Sequence, residues 1–139
     1  MIADALLSRL DGCRRTGVNR WIAKCPAHDD RHPSLSIREL DREKVLVKCW
    51  SGCSAANVLA AAGLEFSALY PPRLTHRTKP ERKSWPAADI LRCVEQEILI
   101  GAVATLTLAN GGVLSDGDRA RLLVASERLT AAVMEAGYA

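Results

Sequence analysis

Three cysteines and one histidine occur in two tight pairs, Cys25 with His28 and Cys49 with Cys53. Thiolate sulfur and imidazole nitrogen are the ligands that Zn²⁺ prefers in tetrahedral structural sites, and a short turn lets both members of a pair reach one ion. Four protein ligands leave no open position for a reactive water. We therefore predict one structural metal ion, zinc rather than the alternative iron, held by Cys25, His28, Cys49 and Cys53.

Short strands and a helix are predicted to carry these ligands. Apolar alternation predicts strands at 20–24, 35–40 and 44–49, with residues 41–43 closing a hairpin between the last two. Ser54 is a suitable N-cap for a helix over 55–62 that Gly63 ends, so the second ligand pair lies where a strand meets a helix. Residues 1–10 read as a short amphipathic helix.

The order of these elements over residues 1–70 resembles the N-terminal zinc-binding domain of bacterial and phage DNA primases. The resemblance comes from Cys-Pro-Ala-His at 25–28, a run ending His-Pro-Ser at 32–34, a β-hairpin, and Cys-Trp-Ser-Gly-Cys at 49–53. Cellular members of that family have two residues between the last cysteines, whereas this chain has three, as phage-type members do. The resemblance therefore implies a phage or another mobile element.

Three other side chains compete with the four proposed ligands. His32 is the alternative fourth ligand, but its place before Pro33 resembles a loop position in the primase family. Cys13 and Cys93 are the spare cysteines, and we expect each to be a small buried hydrophobic residue.

Cations and aromatic rings surround the ligand pairs, a combination that suits phosphates and unpaired bases. The resemblance to primases implies single-stranded DNA as the binding partner, because the zinc domain of primases helps to read the single-stranded template. The equally weighted alternative is that the two tryptophans pack inward against the metal site and the helix while the cations are merely solvated. The predicted single-stranded-DNA contacts are Arg20, Trp21, Lys24, Arg31, Lys48 and Trp50.

Charge and composition divide the chain into two halves. Residues 1–84 carry 15 Lys and Arg against 9 Asp and Glu, a balance of +6, and residues 85–139 carry 4 against 7, a balance of −3. We predict an α+β protein: a small zinc-ribbon-like antiparallel sheet with flanking helices at 1–70, a basic linker at 71–85, and an α-helical hairpin at 86–139.

The hairpin is predicted from two apolar stripes separated by Asn-Gly-Gly at 110–112. Ser115 and Asp118 are placed to form a capping box at the start of the second helix. The first helix is apolar nearly all round, so it needs a cover from the zinc-binding half, a second copy of the chain in a homodimer, or another protein. The stripes are Ile90, Val94, Ile98, Ala102 and Leu106, then Leu122, Ala125, Leu129, Ala132, Val133 and Ala136.

The sequence argues against catalysis by the chain alone. Primases of this family need a separate catalytic core with a Glu and an Asp-x-Asp, and nothing after residue 70 resembles one; Asp116-Gly117-Asp118 is better explained as helix capping. We expect a zinc-dependent single-stranded-DNA-binding accessory protein that acts in replication priming with a separate catalytic subunit or a helicase. The alternatives are a protein-interaction or regulatory module with purely structural zinc, and a truncated primase remnant.

The sequence also predicts where in the cell the protein is found. The N-terminus lacks the basic and apolar regions of a signal peptide, and the apolar run at 98–109 is too short to span a bilayer. We therefore expect a cytoplasmic protein without a membrane segment.

Overall fold

A computed structural model of the chain describes residues 2–40, 44–69 and 85–137 and confirms the α+β class. The predicted hairpin turn at 41–43 and nearly all of the predicted linker at 71–85 lie outside these residues. The elements are the helices α1 (Ala3–Leu7), α2 (Ala55–Ala61), α3 (Ala87–Ala109) and α4 (Asp116–Ala136), the strands β1 (Arg14–Gly17), β2 (Arg20–Ala23), β3 (Leu35–Leu40) and β4 (Lys44–Cys49), and a 3₁₀ turn at Phe66–Ala68.

The four strands form one antiparallel sheet in the order β1-β2-β3-β4. The predicted strands are confirmed to within one residue, but β1 is a strand that the sequence analysis missed. Its residues are polar and half-buried or exposed, so they lack the alternation that marks a strand. Asn19, with a φ of 55°, provides the left-handed turn that reverses the chain between β1 and β2.

One face of the sheet packs on α1 and α2. Because successive strand residues point to opposite faces, Leu35, Ile37 and Val45 share this side. They meet Leu6 of α1 and Leu59 of α2, and all five are essentially inaccessible to solvent. We call this group the α2-side cluster; it also contains Cys25 and Cys49. Two of the proposed metal ligands thus lie within a hydrophobic core.

The opposite face of the sheet packs on the helical hairpin. Ile22, Leu46 and Trp50 meet Ile90 and Val94 of α3, and this group also includes Leu40, Trp85, Cys93 and Ala132. We call it the α3-side cluster. The sheet therefore lies between two helical layers, and the half of the chain that carries the proposed ligands provides part of the cover that α3 needs.

A buried carboxylate anchors α3 to the first two strands. The side chain of Asp89 is only 3% exposed, and it accepts a hydrogen bond from Thr16 Oγ1 at 3.0 Å. Arg92 Nη1 lies 3.1 Å from Oδ1 of Asp89. Arg20 Nη1 lies 3.8 Å from Oδ2, the oxygen that accepts from Thr16. Since an unpaired buried charge is costly, these partners fix the position at which α3 docks.

α3 and α4 run antiparallel, and Ser115 forms the predicted capping box with Asp118 at the start of α4. The predicted inner stripe of α3 is correct at Ile90 and Val94 but wrong at Ile98, Ala102 and Leu106, which are exposed. Likewise Val133 of α4 is half exposed. A helix that is apolar nearly all round gives no unique inner face, and here a polar contact selects it.

That contact is the ion pair of Glu97 with two arginines of α4. Arg121 Nη1 and Arg128 Nη1 each lie 2.7 Å from a carboxylate oxygen of Glu97, whose side chain is 8% exposed. Burial alone would raise the pKa of Glu97, but the hydrogen bond from Arg128 and the charge of Arg121 beside the carboxylate outweigh it and lower the pKa. The carboxylate is therefore ionised and joins the two helices.

A lowered pKa makes the contribution of Glu97 to stability dependent on pH. The contribution is fully present above the pKa of an unfolded glutamate, about 4.3, and is lost as the pH falls through the lower value of the folded state. We expect Glu97→Gln to be less stable than the wild type at pH 7, with the difference shrinking below about pH 4.3. Urea unfolding of both proteins from pH 7 to below about pH 4.3 measures this difference in unfolding free energy. A difference that stays constant with pH would contradict the assignment.

Candidate metal centre

The sheet and the start of α2 bring the two ligand pairs together. Cys25 follows β2, and Cys49 ends β4 directly opposite Leu35 in the ladder. Gly52 has a φ of 100°, a conformation that favours glycine, and it turns the chain from β4 toward Cys53. Ser54 then caps α2 by accepting a hydrogen bond from the Asn57 N–H, as predicted.

The four predicted ligands form one cluster. One donor atom from each of Cys25, His28, Cys49 and Cys53 lies within 4.8 Å of the other three. His28 Nδ1 is 3.3 Å from Cys53 Sγ and 4.0 Å from Cys49 Sγ. Ligands of a tetrahedral zinc site lie about 3.5–4 Å apart, because Zn–S and Zn–N bonds are about 2.3 and 2.0 Å long. The donor set and its spacing therefore fit one tetrahedral metal ion.

Electrostatics in the cluster favour a thiolate. The hydrogen bond between Cys25 and Cys49, then burial, raise the pKa of Cys25. The same hydrogen bond, with backbone N–H groups of Ser51 and Cys53, lowers the pKa of Cys49 to about 4 against the effect of burial. Of the two coupled thiols, Cys49 is thus the one whose deprotonated form the surrounding donors favour. Because metal binding needs deprotonated sulfur, this arrangement favours a cation at the cluster.

Asp30 contacts the cluster, although no pattern in the sequence predicts a role for it. Its Oδ1 lies 3.5 Å from His28 Nε2. Its Oδ2 accepts from the Cys25 N–H at 2.7 Å and from the Ser34 hydroxyl and N–H at 2.7 and 3.3 Å. Ser34 Oγ in turn lies 3.8 Å from Cys49 Sγ. The side chain of Asp30 is 9% exposed, a value that no local sequence pattern indicated.

The competing ligand and the spare cysteines lie outside the cluster. His32 is exposed. Cys93 is buried as expected, with its Sγ 3.5 Å from Ser36 Oγ, and burial raises its pKa to about 12. Cys13, in contrast, is exposed, so the expectation of a buried side chain was wrong there.

Both tryptophans of the predicted DNA surface are buried. Trp21 is 9% exposed and belongs to the α2-side cluster, whereas Trp50 is 5% exposed and belongs to the α3-side cluster. Trp50 Nε1 donates to Ser36 Oγ at 2.9 Å, and its ring meets Trp85 edge to face at 6.4 Å between centroids. Both rings therefore point inward, Trp21 on the side of the proposed metal ligands as the alternative had it and Trp50 on the opposite side against α3, and neither offers a free face to a base.

The four predicted cations divide into two kinds. Arg20 pairs with Asp89, while Lys48 Nζ lies 3.9 Å from Glu135 of α4 and 5.7 Å from the centroid of the Trp50 ring. Lys24 is half-buried and Arg31 is exposed, and neither has an ion-pair partner within residues 2–40, 44–69 and 85–137. Lys24 and Arg31, which flank the first ligand pair, are thus the two of the four without an ion pair in the described part of the chain.

Asp118 is engaged in the capping box, accepting from the Ser115 N–H at 3.2 Å and its hydroxyl at 2.7 Å.

Within the part of the chain that the structure describes, none of the helices has the length and apolar character needed to cross a bilayer.

Comparisons with known proteins add no relative. The chain matches no protein-family model, no curated protein and no solved structure. The resemblance to primase zinc domains therefore depends on the motif residues at 25–53 alone.

Proposed function

We propose that the protein is a zinc-binding accessory module of the primase type that binds single-stranded DNA. It would act in the cytoplasm in replication priming, with a separate catalytic subunit or helicase supplying the chemistry. The observation that carries the proposal is the cluster of Cys25, His28, Cys49 and Cys53 around a β-hairpin. Ligand pairs before and after such a hairpin are the arrangement that the resemblance to phage-type primases implies.

The choice of zinc is supported by the ligand set. Three thiolates and one imidazole in a partly buried cluster form a closed tetrahedral set, which is typical of structural zinc. When bound, the ion would supply cross-linking of β2, β4 and the start of α2 rather than reactivity. Cys25, Cys49 and Cys53 would bind through sulfur and His28 through a ring nitrogen.

DNA binding is supported by the cations next to the ligands. Lys24 directly precedes Cys25, and Arg31 follows His28 by three residues. A metal site would hold this segment rigid, so both cations would meet a nucleic-acid backbone at a fixed separation. Binding through phosphates depends on salt and tolerates many sequences.

Charge reversal at these cations tests the proposal. We expect Lys24→Glu and Arg31→Glu each to weaken binding of a labelled single-stranded oligonucleotide by about tenfold or more at low salt, since attraction to a phosphate becomes repulsion. The slope of the logarithm of affinity against that of salt concentration should fall by about one for each phosphate that the variant no longer neutralises. Fluorescence anisotropy at several salt concentrations measures both quantities.

The matched control is Arg119→Glu, because Arg119 is exposed on α4 and its reversal changes the net charge by the same amount. We expect this variant to bind nearly as the wild type does. Equal losses of affinity in all three variants would mean that the net charge of the protein, and not contact by Lys24 or Arg31, determines binding. A zinc-loaded wild type that binds no oligonucleotide at low salt would overturn the DNA proposal.

That last outcome would favour the second candidate, a protein-interaction module with purely structural zinc. The observation behind it is an apolar outer face on α3, where Leu91, Ile98, Leu99, Val103 and Leu106 are between 41% and 64% exposed. Leu91 and Ile98 are seven residues apart, as are Leu99 and Leu106, a spacing typical of helices that pair side by side. Such a face suits an amphipathic helix of a replication partner or of a second copy in a homodimer.

A further inference from the structure

The imidazole of His28 has a different environment at each of its two nitrogens. Nδ1 faces sulfur, at 3.3 Å from Cys53 Sγ and 4.0 Å from Cys49 Sγ. Nε2 faces a carboxylate, at 3.5 Å from Asp30 Oδ1. A neutral imidazole carries one proton, and the nitrogen without it is the metal ligand. The carboxylate, which only accepts, therefore places the proton on Nε2 and leaves Nδ1 for the ion.

The second oxygen of Asp30 holds the loop that carries the ligands. Oδ2 accepts from the Cys25 backbone at 2.7 Å and thus fixes the first cysteine relative to His28. It also accepts from the hydroxyl and backbone of Ser34, whose Oγ lies against Cys49 Sγ. One carboxylate therefore contacts three of the four ligands, directly or through Ser34, and it is almost fully buried beside them.

We infer that Asp30 is the positioning residue of the metal site: it fixes His28 for coordination through Nδ1 and holds Cys25 and Cys49 at the spacing that the ion needs. This inference rests on the metal site of the proposed function. Partners behind a metal ligand commonly contribute about 10- to 100-fold to metal affinity. One oxygen of Asp30 faces His28, and the other accepts from Cys25 and Ser34. An asparagine amide has a single acceptor oxygen, so it can replace only one of the two.

The test compares Asp30→Asn with Asp29→Asn in the full chain. Asp29 is exposed and directly precedes Asp30, so its replacement removes the same charge beside the same loop. Competition with a zinc chelator measures the affinity of each protein for Zn²⁺. We expect Asp30→Asn to lower this affinity by about 10- to 100-fold and Asp29→Asn to stay within about twofold of the wild type.

A second readout examines the ring itself and needs no variant to fold. Nitrogen NMR of His28 in the zinc-loaded wild type should show a protonated Nε2 and a metal-bound Nδ1. Coordination through Nε2 would overturn the inference, as would equal zinc affinities of the two variants. A wild type that binds no metal would instead overturn the proposed metal site, so the two failures are distinguishable.

Discussion

Cys49→Ser is expected to abolish stoichiometric metal binding and to lower the melting temperature by about 10 °C or more. Cys49 is one of the four proposed ligands and is 2% exposed, so no solvent ligand can replace it without opening the α2-side cluster. Metal binding to a folded site adds directly to the free energy of unfolding, and each kcal/mol shifts the melting temperature of a protein of this size by about 2–4 °C. Elemental analysis and thermal denaturation of the purified variant measure the two effects.

The control for this substitution is Cys13→Ser, which removes a thiol outside the cluster. Cys13 is exposed, and its thiol lies 3.6 Å from the backbone carbonyl oxygens of Leu7 and Leu10. We expect this variant to keep one metal ion per chain and the wild-type melting temperature. A Cys49→Ser protein with full metal content and unchanged melting would refute the assignment of the ligands.

Trp50→Ala is expected to cost about 3–5 kcal/mol of unfolding free energy, the usual loss for a buried aromatic residue. The substitution leaves a cavity between the sheet and α3, removes the edge-to-face contact with Trp85, and takes away the donor to Ser36 Oγ. Urea denaturation measures the loss. The same variant tests whether Trp50 is a stacking platform for bases, because a core residue affects folding rather than the DNA affinity of the folded molecules.

Leu123→Ala on α4 serves as the comparison, because Leu123 is 68% exposed. We expect it to change the unfolding free energy by less than about 0.5 kcal/mol. If Trp50→Ala unfolded like the wild type but bound single-stranded DNA more weakly, the ring would be a contact for bases and the packing explanation would be wrong.

Local signals in the sequence were sufficient for much of this fold. The strands β3 and β4, the Ser54 cap of α2 and the Ser115 capping box are each specified within a few neighbouring residues, and all are confirmed. The four ligands were also predictable, because tight pairs of Cys and His are rare except at metal sites. Their grouping in the structure agrees with one metal site, while the identity of the metal stays a prediction.

Features that depend on distant residues were missed. From the sequence, Arg20 and Lys48 look like free cations. In the structure Arg20 lies beside Asp89 of α3, and Lys48 lies beside Glu135 of α4. Asp30 is one of two adjacent aspartates, and its role follows only from the fold of the loop around it. The orientation of α3 depends on Glu97 and two arginines of another helix. Tertiary partners of this kind leave no periodic pattern.

The sheet that carries the metal ligands is covered on both faces, by α1 and α2 on one side and by α3 and α4 on the other. A nucleic acid therefore cannot spread its bases across this sheet, as it does on proteins that use an open sheet as a platform. In the proposed function, DNA would instead meet the loops at the end of the sheet where the four proposed metal ligands lie. The cations proposed for DNA binding at this end, Lys24 and Arg31, would contact phosphates, which carry little sequence information. A priming accessory built this way would recognise that a strand is unpaired and accessible, and it would leave the choice of start site to its partner.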